Sequence, residues 1–79
     1  MQKLKQLSGK EIVKIFESYG FVLKRIKGSH VRLTLVTKES SHHITIPLHD
    51  KLKIGTYDNI VKEFENCFGK EESTKCFYN

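Results

Sequence analysis

Apolar residues recur at helical spacing between Ile12 and Tyr19, and from His30 to Val36 the period shortens to two. The first pattern, Ile12, Phe16 and Tyr19 widened by Val13 and Ile15, is the buried stripe of an amphipathic helix. Ser8-Gly9-Lys10-Glu11 ahead of it is a capping box, and Gly20 follows as a residue that can leave the helix with positive φ. A helix is therefore predicted from Ser8 to Tyr19. Strands are predicted from Phe21 to Lys27 and from His30 to Val36, joined by Gly28-Ser29, where glycine in first place suits a type II′ turn. Thr37-Lys38-Glu39-Ser40-Ser41 is a polar turn segment before a third strand, His42 to Leu48, with Pro47 near its end, where a missing N–H costs least. Lys51 to Gly55 forms a loop into a second helix, Thr56 to Phe68. In that helix Ile60 and Phe64 share a face flanked by Tyr57, Val61 and Phe68, and Gly69 ends it.

The resulting order is α-β-β-β-α. It predicts an α+β fold, a three-stranded antiparallel sheet with two helices packed on one face. Residues 1–69 form the single domain, and residues 70–79 a polar C-terminal tail whose isolated Cys76-Phe77-Tyr78 leaves two readings open, a loosely held tail or in part a packing clamp. At 79 residues there is room for one modest core. Phe16, Tyr19, Phe21, Phe64 and Phe68 fall on its apolar faces, where they serve packing rather than base stacking.

Charge changes the picture once the register is drawn. Lysine and arginine outnumber aspartate and glutamate by 14 to 9, a net charge of +5. With Gly28 and Ser29 as the turn, Lys27 lies opposite His30, Ile26 opposite Val31 and Arg25 opposite Arg32. One face then collects Arg25, Lys27, His30 and Arg32, while Ile26, Val31, Leu33, Leu35 and Val22 line the other. Two arginines directly across a ladder repel, and an anion between them would relieve the repulsion. A short connection into the third strand brings Pro47 or His49 alongside His30 on the same face. A histidine on a rigid strand among cations suits a phosphodiester: the cations bind its charge, and an unperturbed imidazole, titrating at about 6.5, moves protons near neutrality.

Other chemistries find little support. Cys67 and Cys76 are too few for a disulfide framework and have no zinc-ligand spacing, so they read as incidental thiols. His42 and His43 point to opposite sides of a strand, and no carboxylate cluster is available to hold a metal; no metal and no cofactor are expected. The Met1 to Ser8 stretch is mildly basic and lacks the apolar run of a secretory signal, and no membrane-spanning run follows, so a cytoplasmic, reducing setting is expected.

Helix, three antiparallel strands, helix and a basic face resemble a double-stranded-RNA-binding domain. More specifically, Ser8 to Tyr19 with Gly20-Phe21, Lys27-Gly28-Ser29-His30, Ile46-Pro47-Leu48-His49 and Ile54-Gly55-Thr56, in that order, resemble the HicA (YcfA-like) toxin family over about residues 7 to 69. That resemblance implies the toxin of a type II toxin-antitoxin system: a small, cofactor-free mRNA interferase, with mRNA as substrate and a HicB-type antitoxin as partner. It assigns the catalytic role to the histidine after Gly-Ser, His30, as general base or general acid. Many relatives carry a second histidine or another polar residue next, where this chain has Val31. His49 is the candidate accessory proton carrier, and Arg25, Lys27, Gly28, Ser29 and Arg32 are the candidate RNA-binding residues. The competing readings are a non-catalytic RNA-binding module of the same fold and a domain that docks an acidic protein.

Overall fold

The structure, a computed structural model, describes residues 3–79. Over these residues the order is α1 (Gly9–Ser18), β1 (Val22–Lys27), β2 (His30–Val36), β3 (Ser41–Pro47), α2 (Ile54–Phe68) and α3 (Lys70–Phe77). The α+β class and the α-β-β-β-α order are those expected, with α3 added. Positions 1 and 2 of the Met1–Ser8 stretch lie outside the described residues. Among the described residues no helix is long and apolar enough to cross a membrane.

α1 starts where the capping box requires. The Glu11 N–H donates to Ser8 Oγ (3.2 Å), and the Ser8 N–H donates to Glu11 Oε1 (3.0 Å). Those contacts, the Ser8 backbone first, hold the Glu11 carboxyl below the usual carboxylate range. The buried stripe of α1 is Ile12, Val13 and Phe16. It meets Tyr57, Ile60, Val61 and Phe64 of α2 and Val31, Leu33 and Ile46 of the sheet in one core.

The sheet has the order β1-β2-β3, both pairs antiparallel. Lys27↔His30, Ile26↔Val31 and Arg25↔Arg32 pair as expected. Beyond them a bulge between Leu23 and Arg25 shifts the ladder, so Leu23 opposes Leu33 and Val22 opposes Thr34. This corrects the placement of Val22. The extra residue moves Val22 onto the face of Arg32 and Thr34, and Leu23 takes the apolar side instead. α1 packs on β2 and β3 and α2 on β3. The edge strand β1 is thus left uncovered, with Ile26 57% exposed and Val22 55%.

Of the two readings of the segment after Gly69, it is the packing clamp that the structure shows, built as a helix. Lys70–Phe77 is helical, and Phe77 is fully buried, its ring centroid 5.1 Å from Phe64, 6.3 Å from Tyr57 and 6.5 Å from Phe16. Tyr19, the C-cap of α1, fastens the same helix, its hydroxyl donating to Glu72 Oε1 (2.9 Å) and accepting from Cys76 Sγ (3.3 Å). Those neighbours, Cys76 foremost, push the Tyr19 phenol well above its ordinary pKa. The chain ends meet as well. Leu4 and Tyr78 form an antiparallel bridge, and the Lys5 N–H donates to the Phe77 carbonyl (2.7 Å). The apolar anchor of this docking is the single ring of Phe77, invisible as a periodicity in so short a polar stretch.

Candidate functional site

The site is built on the β1–β2 turn. Gly28 has φ 60°, and no non-glycine among the described residues has positive φ, which leaves the II′ pattern with glycine first. The turn makes His30 the first residue of β2, between Lys27 on β1 and Pro47 on β3. One step along the strands, about 7 Å away at two residues, Arg25, Arg32 and Thr45 form the next row of the same face. Gly28 and Ser29 are exposed at the turn, and Arg25, Lys27, His30, Arg32 and His49 all have exposed side chains.

Two backbone contacts bring His49 to this face. The Leu48 N–H donates to the Ser29 carbonyl (2.6 Å), tying the end of β3 to the turn. The Gly9 N–H, at the first position of α1, donates to the His49 carbonyl (2.9 Å). The His30 and His49 rings then lie 6.4 Å apart, centroid to centroid, at 68°. Both imidazoles thus edge the same exposed stretch of the face. Val31, which follows His30, is 2% exposed in the core, because consecutive strand residues face opposite ways. A second polar residue at position 31 could not share a ligand with His30 in this register.

The cations of the face are not neutralised from within. Among the described residues the single ion pair is Lys75–Glu72 on α3, so Arg25, Lys27 and Arg32 have no carboxylate partner there. The two arginines oppose each other directly. An anion bound between them removes the repulsion and gains charge-assisted hydrogen bonds. His42 and His43 do point to opposite sides. His42 opposes Leu35 and bonds Ser40 Oγ (3.0 Å); His43 opposes Thr34, whose hydroxyl lies 3.0 Å from its Nδ1.

Gly9 is the residue that sequence reasoning missed. Its place in the capping box asks for no particular residue, yet a Cβ at this position would overlap the Pro47 carbonyl oxygen and crowd Leu48. Glycine is needed because α1 starts against the backbone that carries His49. A glycine at the first helical position, where other residues serve as well, was the available signal. Gly9→Ala is expected to destabilise the fold by about 1–3 kcal/mol, as overpacking does. It should also separate the two imidazoles; thermal melts and the His30–His49 ring contacts in NMR spectra measure both.

The face therefore sets three cations without a carboxylate partner among the described residues beside two exposed imidazoles. A family model described as the HicA toxin of bacterial toxin-antitoxin matches residues 9–65. The match spans α1, the whole sheet and most of α2, with His30 and His49 inside it, and stops short of α3. No curated protein and no solved structure matches the chain.

Proposed function

The chain belongs to the HicA toxin family, and from that premise we propose that it is an endoribonuclease, an mRNA interferase, that cleaves mRNA and arrests translation in the cytoplasm until a HicB-type antitoxin covers its basic face. The observation that carries this reading is the exposed His30, 6.4 Å from His49, on a face whose cations have no carboxylate partner among the described residues.

RNA supplies its own nucleophile, so the chemistry reduces to proton transfer and charge stabilisation. In the proposed step one imidazole takes the proton of a ribose 2′-OH as the 2′ oxygen attacks the adjacent phosphorus. The P–O5′ bond breaks, and the second imidazole protonates the departing 5′ oxygen. The products are a 2′,3′-cyclic phosphate and a 5′-hydroxyl. His30 is the catalytic residue and His49 its partner, with base and acid roles shared between them. Arg25, Arg32 and Lys27 hold the extra negative charge that develops on phosphorus, and the turn at Gly28-Ser29 lets the backbone approach the phosphate. No step calls for a metal or an organic cofactor.

The test is incubation of the purified protein with single-stranded and structured RNA in the presence of chelator. Shortened RNA is the expected product. RNA that is bound but stays intact would instead point to the non-catalytic RNA-binding module that the same fold can build. Replacing Arg25 or Arg32 by Gln is expected to weaken RNA binding across all sequences, each change lowering the salt dependence by about one unit of slope. Binding isotherms over a salt series read that slope. An unchanged slope would place the RNA elsewhere on the molecule.

A further inference from the structure

Beside the phosphate-binding row a second feature opens along the free edge of β3. Because β3 is an outer strand, half of its backbone N–H and C=O groups point away from β2. A cleft of about 470 Å³ runs between this edge and α2, lined by His43, Thr45, Thr56, Asn59, Ile60 and Glu63. The α2 residues come from positions 56, 59, 60 and 63, which helical spacing puts on one face. Thr45 lies in the same row as Arg25 and Arg32, one step from the row of His30. Through Thr45 the cleft therefore adjoins the basic face.

Its chemistry differs from that of the basic face. Glu63 disfavours a second phosphate, whereas a carboxylate and a carboxamide together accept hydrogen bonds from an exocyclic amino group. Thr45 and Thr56 add hydroxyls, and the half-buried Ile44 an apolar wall suited to the flat side of a base. His43 is held at its Nδ1 by Thr34, which is only 7% exposed, so the ring has a fixed orientation at the mouth of the cleft. Sequence-selective proteins read single-stranded RNA by this means, splaying one base off the strand and bonding its edge.

We propose that this cleft is a nucleobase subsite, which takes one base flanking the cleaved phosphodiester and favours the amino-bearing bases adenine, cytosine and guanine over uracil. Asn59 and Glu63 carry the selection, and His43 and Thr45 guide the strand over the sheet edge. The proposal rests on the ribonuclease reading given above.

The experiment is digestion of a single-stranded RNA pool randomised at every position, followed by sequencing of the cut ends. At one fixed position relative to the cut, the amino-bearing bases are expected to exceed uracil by about tenfold, the discrimination of one good base contact. Asn59→Ala and Glu63→Ala are each expected to bring that ratio towards one. Equal cutting at all four bases, or a preference that both variants retain, overturns the subsite and leaves the ribonuclease reading standing. If the parent cuts nothing, the ribonuclease reading falls. The subsite is then judged on the His30→Ala protein by NMR titration with homopolymeric oligonucleotides. Shifts of the Asn59 side-chain amide with oligoadenylate or oligocytidylate, and none with oligouridylate, support it. Shifts caused only by a protein partner that pairs with the β3 edge overturn it.

Discussion

Replacing His30 by Ala is expected to lower RNA cleavage by about 10²- to 10⁴-fold, the usual contribution of one general acid or base. Its melting temperature should stay near that of the parent. The second half of the expectation follows from position. His30 is exposed at the start of β2, its side chain fills no part of the core, and substitutions at such sites stay within about 0.5 kcal/mol. Expression without an antitoxin should arrest growth for the parent and spare it for the variant. His49→Ala should keep more activity, since a water molecule can replace one proton carrier more easily than the imidazole set between Lys27 and Pro47. If His30→Ala is as toxic as the parent and cuts RNA at the same rate, the proton transfer belongs to another group.

Phe77→Ala should have the largest effect on stability. A fully buried aromatic ring truncated to a methyl costs about 3–5 kcal/mol, and Phe77 has no exposed surface and touches rings from α1 and α2. Small domains hold only about 5–15 kcal/mol in total. At about 4–8 °C per kcal/mol for a chain of this size, the melting temperature should fall by about 15 °C or more. Removal of everything after Gly69 should do at least as much harm, because it also deletes the Leu4–Tyr78 bridge and the Tyr19 contacts to Glu72 and Cys76. Circular-dichroism melts give the comparison. A truncated protein that melts like the parent would mean that α3 adds nothing to the fold.

Where local rules act alone, the sequence was a faithful guide. The capping box started α1 at the expected residue, strict alternation bounded β2 at His30 and Val36, and glycine in first place produced the turn that presents His30. From these the pairing of Arg25 with Arg32 and of Lys27 with His30 followed by counting. The count failed at Lys24, because a bulge adds a residue without a sequence mark and so changes which face every residue before it takes. α3 escaped for a related reason. Its polar residues show weak periodicity, and its place depends on one ring entering a gap among Phe16, Tyr57 and Phe64. Gly9 and the cleft beside β3 are tertiary facts, made by a helix start meeting a strand end and by a helix face meeting a sheet edge. The candidate site was thus legible through its turn and its charges. The contacts that hold its second histidine were not.

The ends of the cleaved RNA give the most direct measure of an imidazole acting on the RNA's own hydroxyl. After digestion in chelator, mass spectrometry should find a 2′,3′-cyclic phosphate on one fragment and a 5′-hydroxyl on the other, with no cut wherever the attacking ribose is replaced by deoxyribose. Fragments bearing a 5′-phosphate, or cleavage that continues at the deoxyribose, would contradict it.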